Sequence, residues 1–224
     1  MSYSQNQRTD FTLSHEDTPT SRAVRKLEDQ LETKLVALVI QIKNDPIKDI
    51  SLLQRKYGMI VWELIRSYST QIYQEGVKYV NSVTKTEPLT TTSDLETVRE
   101  LTQTYYDRFW FRVNKLVTGR NDVLESKNDY APKSELSDNF IVALLATVIA
   151  TEVLAIATIV KARLLWSDRF TIPILVWVTA RDERVCPICR PLHGNQFALN
   201  DPQLPMMPDS THPRCRCRYI VREL

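Results

Sequence analysis

The chain has 224 residues, 43% hydrophobic and 25% charged, which supports a folded core of one domain or two small ones and excludes wholesale disorder. With 29 Lys and Arg against 27 Asp and Glu the formal charge is +2, so bulk charge marks neither a nucleic-acid coat nor an acidic tail. The 4 glycines are too dispersed for a G-x-x-x-x-G-K-[ST] phosphate loop or a G-x-G-x-x-G turn, which removes P-loop ATPase and Rossmann readings.

Met1 to Asp17 is polar and lacks a basic-then-apolar run, so a flexible arm without a secretory signal is expected. Thr18-Pro19 reads as a helix start, a capping hydroxyl followed by a proline whose missing N–H falls where no partner exists anyway. Val24, Leu27, Leu31, Leu35, Leu38, Val39 and Ile42 recur at three and four residues, which predicts a helix to about Lys43, interrupted by Pro46. A second helix is predicted from Asp49 to Val83. Its buried side carries Leu53, Tyr57, Ile60, Val61, Leu64, Ile65, Tyr68, Ile72 and Val80, with Gly58 or Gly76 as points of bending.

A Thr-rich loop spans 84–92, and Ser93-Asp94-Leu95-Glu96 then reads as a capping box opening a third helix. Leu95, Val98, Leu101, Tyr105, Phe109, Val113 and Leu116 mark the face of that helix, and Gly119 its stop. A polar loop follows from Arg120 to Lys133, and Ser134 or Ser137 caps a fourth helix to about Trp166. Ile174 to Val178 is short and β-branched, with Arg218 to Val221 as its strand partner. The expected fold class is mainly α, an elongated body of about four long helices with a small C-terminal α+β cap rich in Cys and His. The arm covers 1–17, the body 18–133 and a C-terminal domain 134–224, with the cap at 174–224.

Phe140 to Val160 carries one charge, Glu152, and is long enough to cross a bilayer with Lys161 and Arg163 as anchors. A carboxylate near the bilayer centre is expensive, and Ala and Thr outweigh Leu and Phe here. A buried central helix is therefore expected, with a membrane anchor as the weaker alternative.

All four cysteines, Cys186, Cys189, Cys215 and Cys217, fall in the C-terminal segment together with His193 and His212. In a reducing cytoplasm such clusters bind metal more often than they form disulfides. A C-x-x-C turn brings Cys186 and Cys189 to one ion, and His212 with Cys215 closes a tetrahedral set of the kind structural zinc prefers. Cys217 competes for the fourth place, because alternate residues of an extended strand share a face. Buried thiols or disulfides are the plainer alternative, and His193 reads as a hydrogen-bonding surface residue.

Catalytic readings fit less well. A zinc deaminase needs a ligand-x-Glu unit before Pro-Cys-x-x-Cys, but Pro187 lies inside the pair, and no H-E-x-x-H occurs. A metal-dependent nucleic-acid-binding protein or nuclease, with His212 or His193 as base, stands as the alternative function. Asp182 and Glu183 read as solvated turn residues. Arg184, Arg190, Arg214, Arg216 and Arg218 crowd the same segment, as contacts for nucleic-acid phosphates or an acidic protein surface, although interspersed acids also fit a mixed-charge solvated face.

The order Trp177-x-Thr179, the Asp182 to Cys189 turn, Leu192-His193-Gly194 and His212-Pro213-x-Cys215-Arg216-Cys217 resembles the C-terminal domain of the phage Mu F-like minor head proteins. That is the head-morphogenesis family of tailed phages. Thr151-Glu152 stands where the family carries a Thr-Glu pair in the preceding helix. His193 replaces the usual Asp before Gly, and Val148-Ile149-Ala150 replaces the expected Arg. The resemblance covers roughly Thr147 to Val221. It implies a non-enzymatic minor capsid protein in the virion, made in the host cytoplasm, bound to the portal and other head proteins, and acting in head assembly, DNA packaging or delivery. Some relatives append a toxin domain, and with Leu224 directly after the motif none is expected here.

Overall fold

A computed structural model describes residues 18–84, 91–118, 138–166, 174–179, 187, 189–199, 201, 204 and 217–222. The elements run α1 (Pro19–Lys43), α2 (Ile50–Thr84), α3 (Thr92–Thr118), α4 (Asp138–Trp166), β1 (Ile174–Val178), a 3-10 turn (Arg190–Leu192), β2 (Gln196–Ala198) and β3 (Arg218–Arg222). The arm 1–17, Gly119, the 120–133 loop, Ser134 and Ser137 lie outside the described residues, as does most of the Thr-rich loop.

Helix α1 starts as its sequence predicts, with the Thr18 hydroxyl accepting the Ser21 N–H at 3.2 Å. Its exit is fixed by Asp45, a buried carboxylate that accepts from Lys56, from the Tyr57 hydroxyl at 2.6 Å and from the Ile47 N–H at 3.0 Å. Those hydrogen bonds, Lys56 first, hold its carboxyl at about 2. The turn from α1 into α2 is thus set by one carboxylate gripping the first turns of the next helix.

Helix α2 turns Leu53, Tyr57, Val61, Ile65, Tyr68 and Ile72 inward, whereas Ile60, expected on the same face, is 55% exposed. Each residue advances 100° around a helix, so Ile60 cannot share the direction of its neighbour Val61. The helix runs unbroken through Gly58 and Gly76. Gly76 serves contact instead, since a Cβ there would lie 2.6 Å from the Ala157 Cβ and 3.3 Å from the Leu154 carbonyl oxygen on α4.

The capping box of α3 falls two residues before the expected one. Thr91 and Asp94 exchange bonds, the Thr91 N–H donating to Asp94 Oδ2 at 2.6 Å and the Asp94 N–H to Thr91 Oγ1 at 3.3 Å. The inward position at the start of α3 therefore belongs to Asp94, and Leu95 beside it is 60% exposed. Asp94 is drawn inward by Lys161 of α4, whose Nζ donates to Oδ2 at 2.8 Å, and by the Tyr73 hydroxyl of α2, which donates to Oδ1 at 2.7 Å.

Helix α4 is apolar on every side, the signature of a helix surrounded by protein. It packs against α1, α2, α3 and β3. Its Val142–Leu164 stretch is the one described span apolar and long enough for a membrane, and 78% of it is buried inside the protein. The first half joins the α1–α3 core through Val142, Leu145, Ile149 and Val153, and in the second half Ala155, Ile159 and Ala162 join the core of the sheet. Lys161 and Arg163 are not lipid-facing anchors. Lys161 is the buried partner of Asp94, and Arg163 donates to the Leu199 carbonyl at 2.8 Å.

Lys161 and Asp94 side chains are 5% and 1% exposed, and a charge left behind there has no water to turn to. We expect Lys161→Met to destabilise the fold by about 3–5 kcal/mol in chemical denaturation. Burial alone would raise the Asp94 carboxyl, but the bonds from Lys161, Thr91 and Tyr73 outweigh it and hold it below the ordinary carboxylate value. A depressed folded value contributes stability above the unfolded value of about 3.9, lost as pH falls through the folded one. Denaturation midpoints should therefore be flat near neutrality and fall below about pH 4, with the fall attenuated in the Lys161→Met variant.

Candidate functional site

Beyond α4 the chain forms an antiparallel sheet in the order β2-β1-β3. The sequence predicts β1 and β3, and the register sets Leu175 opposite Val221, Trp177 opposite Tyr219 and Val178 opposite Arg218. Alternate residues of a strand share a face. Leu175, Trp177, Tyr219 and Val221 accordingly pack in one cluster with Ala155, Ile159 and Ala162 of α4. The Trp177 and Tyr219 rings meet edge to face with centroids 5.3 Å apart.

The opposite edge, β2, is not foreseen in the sequence because Gln196-Phe197-Ala198 is too short for a periodic signal. It is positioned by the motif before it. Gly194 reverses the chain at φ +80°, a conformation that residues with a Cβ rarely adopt. Its N–H donates to the Trp177 carbonyl at 2.8 Å, and the Trp177 N–H donates to the Asn195 carbonyl at 3.0 Å. One residue earlier, His193 Nδ1 accepts the Thr179 N–H at 3.0 Å and lies 3.0 Å from the Thr179 hydroxyl. Accepting a backbone amide at Nδ1 leaves Nε2 as the nitrogen that carries the proton of a neutral ring. Trp177, Thr179, His193 and Gly194 thus form one hydrogen-bonded unit, and His193 is the hydrogen-bonding residue its context predicts.

Of the expected metal ligands, Cys189 and Cys217 are described, and both are buried in the cluster beneath the sheet. Cys217 directly precedes β3, whose first residue faces Val178, while Cys189 leads through the 3-10 turn and Gly194 back to Trp177. Both thiols therefore enter the core from the end of the sheet where β1 finishes. Cys186, His212 and Cys215 lie outside the described residues, as do Arg184, Arg214 and Arg216. Among the described residues no three His, Cys, Asp or Glu side chains converge as a metal site. Arg190 is exposed on the 3-10 turn. Arg218 is half-buried and donates to the hydroxyls of Thr18, at 2.6 Å, and Ser21, so it ties β3 to the start of α1.

The Thr-Glu pair of α4 also has a structural place. The Thr151 hydroxyl donates to the Thr147 carbonyl at 2.8 Å, and Glu152 meets Arg108 of α3 at 3.2 Å. Thr147 in turn donates to the buried Glu28 carboxylate of α1 at 2.6 Å. Sequence reasoning misses Arg108, Glu28 and Asp94 as partners, because each lies on another helix far along the chain. The one available signal is a charged residue set within an apolar helical face.

Residues 138–220, from the start of α4 into β3, match the model of the family described as Phage Mu protein F like protein. This stretch is a Mu F-like domain. Comparison with curated proteins yields no significant match, and neither does comparison with solved structures. The match sets this stretch, 83 of the 224 residues, among proteins of phage head morphogenesis. The Mu F-like domain is built into the helical body rather than appended to it, since its α4 supplies part of the α1–α3 core. Arg163, Arg218 and Tyr79, whose hydroxyl accepts the Val221 N–H at 3.2 Å, join its sheet to the helices at three further points.

His193→Ala strands the Thr179 N–H in a buried position and should destabilise the cap by about 1–3 kcal/mol. His193→Asp, the residue usual at this place in the family it resembles, restores an acceptor and should lose less. Hydrogen exchange at the Thr179 amide distinguishes them, faster in the Ala variant and near the parent rate in the Asp variant.

Proposed function

We propose that this protein is a minor capsid component, present in few copies inside the head of a tailed phage, bound to the portal and acting in head assembly and DNA packaging or delivery. The observation that carries the reading is the Mu F-like match over residues 138–220, with Trp177, Thr179, His193 and Gly194 acting together as one structural unit. The head-protein role is a matter of docking, and the chain offers a helical body with a small cap clamped onto it.

Within the same proposal, Cys186, Cys189, His212 and Cys215 hold a structural zinc, with Cys217 as the alternative ligand. The burial of Cys189 and Cys217 in one cluster, entering from one end of the sheet, supports thiolate donors at that place. A three-stranded sheet with strands of three to five residues has little core of its own, and zinc supplies folding energy in such small units.

Quantitative mass spectrometry with crosslinking on purified particles tests the role, with a few copies per particle crosslinked to the portal ring as the expected result. Absence from particles, or a copy number matching the shell protein, contradicts it. For the metal, elemental analysis should give about one zinc per chain. Cys186→Ser with Cys189→Ser should lose that zinc and expose the cap to limited proteolysis while the helical body stays resistant. An unchanged cap counts against the zinc site.

A further inference from the structure

The first turns of α1, outside the Mu F-like stretch, carry an unusual charge pattern. A helix N-terminus is the positive end of the backbone dipole and ordinarily attracts acidic residues, but α1 has none in its first turn. Instead Arg22, Arg25 and Lys26 follow at once, and Arg218 from β3 adds a guanidinium against Thr18 and Ser21. Arg22 and Lys26 stand four residues apart on one face, where like charges repel. The row continues to Lys34, whose ammonium sits 5.2 Å from the centre of the Tyr68 ring of α2.

Arg22, Arg25, Lys26 and Lys34 line an open groove of about 700 Å³ between α1 and Tyr68, in which Asp29 is the one acid. Arg22, Lys26 and Lys34 are exposed. At 1.5 Å per residue the row from Arg22 to Lys34 is about 18 Å long. A DNA strand presents a phosphate about every 3.4 Å of axis, so the row runs beside about five of them. Cations that recur along the helix on its groove side suit a regular array of phosphates.

We infer that the α1 groove, with Arg22, Arg25, Lys26 and Lys34, binds the phosphate backbone of duplex DNA without sequence preference. The inference rests on the head-protein reading only for the polyanion the site meets, since packaged duplex is what a protein inside a head encounters. It sets the DNA contact on the helical body, across the N-terminus of α1 from the sheet, rather than on the C-terminal arginines alone.

The test uses the full chain and a short fluorescent duplex, followed by anisotropy over a salt series. Arg22→Glu with Lys26→Glu should weaken binding by about tenfold or more at low salt and reduce the slope of log affinity against log salt by about 2. Arg55→Glu with Arg99→Glu, a charge-matched pair of exposed residues on α2 and α3, should change it far less, and Arg22→Lys with Lys26→Arg should retain it. Equal loss in the charge-matched pair, no duplex binding by the parent protein, or displacement of the duplex by polyglutamate at equal charge overturns the inference, the last in favour of an acidic protein partner. Incorporation of the Arg22→Glu, Lys26→Glu protein into particles is measured alongside. Normal incorporation with unchanged DNA binding rejects the groove and leaves the head role standing, whereas absence of the parent protein from particles rejects the head role itself.

Discussion

The structure depends on one constraint: helix α4 is apolar around its whole circumference and must be enclosed. Two different structures do the enclosing. Over its first half α1, α2 and α3 surround it, and over its second half the sheet joins α2 and the start of α3 in covering it. Close approach is secured at Gly76 on α2, where a Cβ would collide with the Ala157 side chain and crowd the Leu154 carbonyl of α4. Removing α4 would leave both cores open, so body and cap are a single energetic unit although they read as separate stretches of sequence.

Enclosure creates a second requirement, because the few polar groups on α4 lose water along with the apolar ones. Three are answered from other helices: Thr147 by Glu28 of α1, and Glu152 and Lys161 by Arg108 and Asp94 of α3. Buried pairs of this kind contribute little net stability compared with well-packed apolar residues, but a single broken one is costly. Their effect is to fix which helix lies where and at what height. Asp94 shows this most clearly, since it is at once a capping residue for α3 and the counterion of Lys161.

Much of this is legible in the amino-acid sequence. The start of α1 at Thr18-Pro19, the four helices, the β1 and β3 pairing and the enclosed fate of the apolar run follow from periodicity, capping chemistry and the price of Glu152 in a bilayer. The inward stripes were right except at Ile60 and Leu95, each displaced by a neighbour with a stronger claim, Val61 in one case and the ion-paired Asp94 in the other. Helical periodicity ranks apolar residues and is blind to a carboxylate whose partner lies 67 positions away. For the same reason Lys161 looked like an anchor, and strand β2, held in place by Gly194 and His193 rather than by its own composition, left no trace. At the candidate site the Trp177, Thr179, His193 and Gly194 unit was legible as a motif, while its internal hydrogen bonds required the fold.

Native-state hydrogen exchange on the full chain in detergent-free buffer addresses the central claim most directly. If α4 is the shared core of both layers, its amides from Val142 to Ala162 exchange among the slowest in the protein, and those of β1 and β3 open in the same cooperative step as the helical body. Fast exchange along α4, or a sheet that opens independently while α4 stays protected only when detergent is present, would contradict it.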